Sequence, residues 1–388
     1  MPEFAGVKFK NPLVVASSPL TVKPELLKKA EEFGAAAVST KLTFVKQPFY
    51  GKLRMHHSLK EGSIVCHDRR LDMHEGIALI EEGRRITKDL IIFANMTHSG
   101  ADLEGWARLG KALEEAGAHI LEPNLICPNL GLTAQALGEK APSGGAIPGQ
   151  SPEMTFDIVK TLKEVVRIPV VPKLTPNVTD ITVIARACQD AGADGICLAG
   201  GQLSLPPVDI YHPDSAYPLL HGASMGSLGG PACRLMGFAQ VASVAQRVDV
   251  PVVGGGGIET WEHAVQYMMW GATLVTACTS LMWYGFGVIS RILGGMKEFM
   301  ADRGYNAYQD LVGLALPLLR AAENLQVVPG VAVVDKDTCT GCGRCVRPAH
   351  CDAVTMVNGK ADIDPQECLG CSFCAVLCPV RAIAMQPV

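Results

Sequence analysis

Pro251-Val-Val-Gly254-Gly-Gly-Gly-Ile258-Glu259-Thr260, then after ten residues Gly271-Ala272-Thr273-Leu-Val-Thr-Ala277-Cys278-Thr279-Ser280, contains one complete strand–helix–strand unit. A short apolar run ends in four glycines, a helical segment follows, and Gly271 stands where a helix end needs a left-handed residue. The same Gly-Ala punctuation recurs at Gly34-Ala35, Gly117-Ala118 and Gly192-Ala193. Working outward from it, strands are expected at 12–17, 35–41, 90–96, 119–126, 169–175, 195–200, 251–257 and 273–280. The second, third, fourth, sixth and eighth are continuous apolar runs, as a sheet buried on both faces requires. Eight such strands with helices between them predict an α/β fold, a (β/α)8 TIM barrel. A doubly wound sheet would need a glycine-rich turn straight after the first strand, and there is none.

At 388 residues the chain holds a large domain and a small one. Aromatics make up only 6% and there are 40 glycines, which suits an α/β domain with many strand-to-helix turns. A net charge of −4 argues against nucleic acid or an anionic membrane as main partner. Met1 to Lys8 has no apolar run of signal-peptide type, and the uncharged window from Tyr267 to Ser290 is broken by glycines and threonines. No membrane span is expected. Cys66, Cys127, Cys188, Cys197, Cys233 and Cys278 form no disulfide-like framework, so a reducing cytoplasm fits.

The other eight cysteines sit in the tail, as Cys339-Thr-Gly-Cys342-Gly-Arg-Cys345, Cys351, and Cys368-Leu-Gly-Cys371-Ser-Phe-Cys374-Ala-Val-Leu-Cys378-Pro379. Two C-x₂-C-x₂-C runs, each with a trailing cysteine, form the ligand pattern of a two-cluster ferredoxin, in which the fourth cysteine of one run serves the other cluster. Cys339, Cys342, Cys345 and Cys378 are thereby assigned to one [4Fe–4S] cluster, and Cys368, Cys371, Cys374 and Cys351 to the second. The first run departs from the rule: five residues separate Cys345 from Cys351, and no proline follows. Zinc held by C-x-x-C knuckles is the rival, but knuckles use two pairs rather than two triplets. The domains expected are a barrel over 1–328, a linker around Val327-Val-Pro-Gly330, and a small α+β ferredoxin-like domain over 329–388.

Function in a barrel sits on the loops after each strand. Three are long here: 42–89, 128–150 (rich in small residues, as a lid would be) and 202–229, which holds Tyr211, His212, Tyr217 and His221. The glycines at 254–257, opening a helix, offer bare backbone N–H groups to an anion, which points to a phosphate-bearing cofactor. Lys41 and Lys173 end their strands. A lysine aimed into a barrel mouth is costly unless it meets negative charge, and a Schiff-base role is the catalytic alternative. Cys127, in Glu122-Pro-Asn124-Leu-Ile-Cys127-Pro-Asn129, is either a small buried hydrophobe or a proton donor.

Taken together, Asn11-Pro, Ala16-Ser17, Ser39-Thr-Lys41, Asn124-x-x-Cys127-Pro-Asn129, Lys173-Leu-Thr-Pro-Asn, Leu228-Gly-Gly230, Gly254 to Glu259 and Cys278-Thr279 resemble the flavin barrel of class 1 dihydroorotate dehydrogenases. They resemble still more closely the pyrimidine-site half of the dihydropyrimidine dehydrogenase family, which carries a double-cluster segment behind its FMN barrel. The resemblance implies that Ala16 and Ser17 lie along the FMN ring and that Lys41 and Lys173 meet its pyrimidine edge. It implies that Gly229, Gly230, Gly256, Gly257, Cys278 and Thr279 hold the ribityl phosphate. Asn124 would bridge flavin and substrate, Asn129 would lie near the substrate, and Cys127 would protonate one carbon of a C=C bond as hydride reaches the other.

Two departures stand out. The family's Asn-Thr pair after the sixth strand is replaced by Gly200 and Gly201, followed by Gln202, and the loop after the second strand carries His56, His57, His67 and His74 in place of a substrate asparagine. Those histidines with Cys66 form a weak candidate metal site. The sequence holds no second dinucleotide fingerprint, so electrons are expected from a partner: an NAD(P)H- and FAD-binding subunit or a ferredoxin, in a homo- or hetero-oligomer. Pyrimidine C=C reduction, or its reverse, is the leading expectation. A related ring reductase, a dihydroorotate dehydrogenase-like enzyme, an electron-transfer subunit and a lysine-dependent lyase are the alternatives.

Overall fold

The computed structural model describes the whole chain except residues 47–51, 132–134, 136–137, 139–143, 214–215 and 349, and the side chain of Asn129. The chain divides into two compact units, Met1–Leu319 and Arg320–Val388. Residues 320–329 are exposed.

Unit one is a closed barrel of eight parallel strands: β1 Leu13–Val15, β2 Ala37–Ser39, β3 Ile91–Met96, β4 Ile120–Leu125, β5 Lys173–Leu174, β6 Ile196–Leu198, β7 Val252–Gly255 and β8 Ala272–Ala277. Each strand pairs with the next in sequence, and β8 closes onto β1 with Val275 opposite Leu13. Seven strands lie inside the stretches expected from the sequence, and β8 begins one residue earlier than expected, at Ala272. The four Gly-Ala glycines all have positive φ, between +92° at Gly192 and +108° at Gly271, which lets the chain turn sharply from helix into strand.

Strand periodicity explains how the barrel is filled. Val14, Ala37, Phe93, Ile120, Val171, Cys197, Val253 and Leu274 pack together as one buried layer, a residue from each strand or its approach. Phe4 and Phe9, on the N-terminal hairpin segment, complete this layer, their rings edge to face at 6.3 Å. Because side chains alternate along a strand, the residues two positions on form the next layer up. That layer reads Ala16, Ser39, Asn95, Glu122, Lys173, Ala199, Gly255 and Thr276. It is polar on one side and small on the other. The bottom of the barrel is thus sealed by apolar side chains, and its upper interior carries the polar and charged ones.

The strands' outer faces bury against amphipathic helices, among them Met73–Ile86, Leu103–Glu115, Pro152–Val165 and Trp261–Met269. Their starts are fixed by side chains: Asp72 and Glu75 form a reciprocal capping box, and Asp102 and Ser151 accept from the backbone of their first turns. No helix among the described residues is long and apolar enough to cross a membrane.

One half-buried group, His119, is expected to make the fold pH-sensitive. The Ile92 N–H donates to His119 Nδ1 at 2.9 Å, and burial, with Arg84 beside the ring, pulls its pKa down to about 4. A histidine lowered in the folded state stays neutral there while the unfolded chain binds a proton. Stability should therefore be full above about pH 6.5 and decline as pH falls toward 4. In anaerobic urea unfolding, His119→Gln is expected to flatten that part of the pH dependence; an unchanged slope would remove His119 as its source.

Loops two and six hold an arrangement that strand patterning did not reveal. Arg54–Ser58, Gly62–His67, Gly226–Gly229 and Gln202–Ser204 form a four-stranded antiparallel sheet, with Ser227 opposite Val65. Unit two is small and α+β. Gly330–Val334 pairs antiparallel with Ile383–Pro387, Val354–Val357 pairs with Lys360–Ile363, and one short helix spans Phe373–Leu377.

Candidate active site

A cleft of about 1110 Å³, counting the part open to solvent, lies at the C-terminal ends of the strands. Ala16, Ser17, Lys41, Asn124, Cys127, Lys173, Gly229, Gly230, Gly256, Gly257, Cys278 and Thr279 all line it. Asn129 follows Cys127 in the turn Pro128–Leu130, and its side chain lies outside the described residues. Of the lid expected over 128–150, residues 132–134, 136–137 and 139–143 also lie outside them. Its near end is tied down, with Ala146 N–H donating to Cys127 O at 3.2 Å.

The two lysines are held differently. Lys41 is 5% exposed and pairs with Asp68, which also takes Arg70 Nη1 at 2.9 Å. Burial, and then the Arg70 guanidinium, pull Lys41 below the ordinary lysine value, against the opposing pull of Asp68. Lys173 is 6% exposed with Glu122 Oε2 3.7 Å from its Nζ. Burial works most strongly against its charge, but the Glu122 carboxylate, together with Cys197, Cys278 and Cys127 facing it, holds Lys173 above the usual lysine range. An ammonium held in that way is a poor nucleophile for imine formation.

Asn124 is a scaffold as much as a contact. Its Oδ1 accepts the N–H groups of Ile126 and Cys127, both at 3.3 Å, and its Nδ2 donates to Asn95 Oδ1 at 3.1 Å. The amide thus orients the turn that presents Cys127. Leu42, Phe44 and Leu130 pack beside Cys127.

Another part of the cleft wall is bare backbone. A Cβ on Gly257 would stand 2.6 Å from the Gly230 carbonyl oxygen, and one on Gly230 would stand 2.8 Å from Gly62 Cα. Gly257 also has φ +68°, so neither position admits a side chain. Tyr267 donates its hydroxyl to the carbonyls of Gly255 and Gly256, at 2.9 and 2.8 Å, and Ser280 Oγ ties the end of β8 to Ile258 O at 2.7 Å. The glycine loop is therefore braced from behind. The next helix starts only at Trp261, so the loop itself, rather than a helix end, faces the cleft. Side-chain-free backbone and two ammonium groups lining one cleft fit a flavin mononucleotide, which needs donors for its phosphate and positive charge for its ring.

The antiparallel sheet supplies the roof through Ser63, Val65, Ser227 and Leu228. Trp283 Nε1 donates to Ser63 Oγ at 3.2 Å, and His57 Nδ1 lies 2.8 Å from the same hydroxyl. Cys66 and His67 alternate on their strand, one packed with Ile64 and Tyr217 and the other bonded to Lys52 O at 3.1 Å. No group of metal-holding side chains forms among the described residues. Gly201 has φ +117°, and a Cβ there would stand 2.8 Å from Ile126, while the Gln202 side chain turns away to Asn177 Oδ1 at 3.2 Å. Neither restores the lost hydrogen-bonding pair.

Sequence reasoning missed Glu122, Asp68 and Arg70. Glu122 was legible: it lies two residues beyond inward-facing Ile120 on β4. Asp68 and Arg70 were not, because a loop without periodicity brings them to the cleft.

In unit two, Cys339, Cys342, Cys345 and Cys378 line one cavity of about 310 Å³, again counting its open part. Backbone N–H groups of Ala361 and Gly341 pull the Cys339 thiol below its ordinary value, favouring thiolate. Ala382 N–H donates to Cys378 Sγ at 3.2 Å, and Ala332 N–H donates to Cys368 Sγ at 3.4 Å. The Cys374 thiol is raised by burial and by Cys368 and Cys371 nearby. His350 Nε2, next to Cys351 in sequence, lies 3.2 Å from Cys371 Sγ, so the two loops of the second set meet.

Comparison with known proteins agrees with this geometry. Residues 2–300 match the family model described as dihydroorotate dehydrogenase. The NAD-dependent dihydropyrimidine dehydrogenase subunit PreA of Escherichia coli (strain K12) is 29% identical over 356 residues, covering 88% of this chain and 83% of that one. That shared stretch is longer than unit one, so it reaches into the cysteine-rich unit. The dihydroorotate dehydrogenase B (NAD(+)) catalytic subunits of Pyrococcus abyssi and Methanothermobacter thermautotrophicus are 33% and 31% identical, each over 80% of this chain, covering 97% and 96% of theirs.

Proposed function

The chain belongs to the dihydroorotate dehydrogenase family of flavin-dependent oxidoreductases, and from that premise we propose that it reduces, or in reverse forms, an activated C=C bond in a pyrimidine-like ring. The observation that carries the reading is the meeting of Cys127, Lys41, Lys173 and the bare glycine wall on one cleft. Bound there, FMN would supply hydride exchange at its ring and the capacity to take electrons singly and release them as a pair.

The chain's own residues do the rest. Gly229, Gly230, Gly256, Gly257, Cys278 and Thr279 would seat the phosphate, with Ala16 and Ser17 along the ring. Lys173 and Lys41 would face the ring's pyrimidine edge and stabilise negative charge there. Cys127 Sγ–H would give its proton to the substrate carbon next to the one that accepts hydride, and the thiolate would recover a proton from solvent. Asn124 fixes where that sulfur stands and would contact the substrate, with Asn129 nearby.

The eight tail cysteines would hold two [4Fe–4S] clusters, Cys339, Cys342, Cys345 and Cys378 on one and Cys368, Cys371, Cys374 and Cys351 on the other. Electrons would come through them from an NAD(P)H-oxidising flavoprotein subunit or a ferredoxin, in a cytoplasmic assembly. The names of the relatives, each a subunit, support a partnered enzyme.

The test is anaerobic addition of dihydrouracil or dihydrothymine to the purified protein with no other donor. Bleaching of the flavin band is the expected result. An unbleached band in flavin-loaded protein would sink the pyrimidine assignment. A protein that folds without flavin would sink the enzymatic reading altogether.

A second reading has specific support. With no side chain at Gly200 and Gly201 and with Arg70 and Asp68 on the cleft wall, the site offers charge where a pyrimidine site offers amides. A larger conjugated ring carrying polar or acidic substituents fits that wall, and flavin bleaching by such a reduced ring but not by dihydrouracil would favour it.

A further inference from the structure

Just below the cleft floor, Glu122 is 3% exposed and takes no part in the roles assigned above. Its Oε2 accepts from Ser39 Oγ and from Asn95 Nδ2 and faces Lys173 Nζ at 3.7 Å. Asn95 Oδ1 accepts in turn from Asn124 Nδ2. Side chains from β2, β3 and β5 therefore close around this one carboxylate on β4. Neutral donors and one ammonium make it a buried counter-charge, and without it Lys173 would be a buried cation with no carboxylate beside it.

We propose that Glu122 is a positioning residue that keeps Lys173 charged whatever charge the flavin carries, so that flavin reduction takes up no proton at Lys173. The proposal rests on the reading of Lys173 as the lysine at the flavin ring. Two electrons and one proton turn a neutral oxidised flavin into the anionic reduced form. With Lys173 already charged, no further proton is required. With Glu122 neutralised, the buried ammonium has no counter-charge beside the oxidised ring and sheds its proton. It regains that proton when the ring becomes anionic, so the same two electrons then bring in two protons.

The other titratable groups facing Lys173 are Cys197 from β6, Cys278 at the end of β8 and Cys127 from the loop after β4. Burial raises the thiols of Cys197 and Cys278, so they stay protonated near neutrality and add nothing to the count.

The test is potentiometry of the flavin in the full-length protein, with a reduced low-potential dye as electron source, between about pH 6 and 8. The wild type should take up one proton per electron pair and Glu122→Gln twice that number. The double variant Glu122→Gln, Lys173→Met should return to the wild-type count. Equal counts in wild type and Glu122→Gln would overturn the proposal. Should Glu122→Gln lose its flavin, recovery of flavin by the double variant would show that the stranded ammonium was the cause, and failure of both would reduce Glu122 to a structural role. A wild-type protein that binds no flavin would instead refute the functional reading beneath it.

Discussion

Cys127→Ala should cut turnover by about 10²- to 10⁴-fold, the range that loss of a positioned proton donor produces, while leaving the flavin spectrum and flavin retention unchanged. The structure explains why the two effects separate. Cys127 lines the cleft, but it sits on the turn after β4, and the glycine wall proposed to seat the phosphate is built from the ends of β7 and β8 and from the 226–230 segment. The turn is held by Asn124 through the backbone N–H of residue 127, a bond that any side chain at that position preserves. Cys127→Ser should fall between wild type and alanine, because a hydroxyl occupies the place but is a far weaker acid. Turnover of the alanine variant within about twofold of wild type would remove Cys127 from the chemistry and favour a barrel that only relays electrons.

Cys378→Ala should lower iron from about eight to about four atoms per chain and abolish turnover driven by an external electron donor. Reduction of the flavin by a dihydropyrimidine should survive, because that half-reaction needs the barrel alone. The choice of residue matters. In sequence Cys378 trails the second run of cysteines, yet in space it lines the cavity of the first, with Cys339, Cys342 and Cys345. Loss of the cluster on the first run is therefore expected, and Cys339→Ala should give the same spectrum as Cys378→Ala. Two spectroscopically different residual clusters would mean that the cysteines do not cross over between the runs. Metal analysis returning zinc in the wild type would overturn the relay.

The barrel was readable because its two periods are local. The Gly-Ala punctuation marks where helices stop, and the alternation along each strand separates Val14 from Ala16, Phe93 from Asn95 and Ile120 from Glu122. Lys41, Lys173 and the glycines stand at strand ends, where a reader knows to look. The antiparallel sheet over the cleft obeys no such rule. Ser227 pairs with Val65 across more than half the barrel's length in sequence, and neither strand carries a signal that names its partner. The same holds for Asp68 and Arg70, whose meeting with Lys41 is a tertiary fact. Gly200 and Gly201 could be recognised as departures from sequence, but only the +117° turn at Gly201 shows that no larger residue would fit there.

The cleft is made by two separable parts of the chain. Its floor is set by strand register, so a substitution there disturbs neighbours in the barrel on either side. Its ceiling comes from two excursions of the chain, one after β2 and one after β6. Descendants of such a protein are free to exchange ceilings and acquire new specificities while inheriting the same redox seat unaltered, and chemistry and diet can evolve at different speeds.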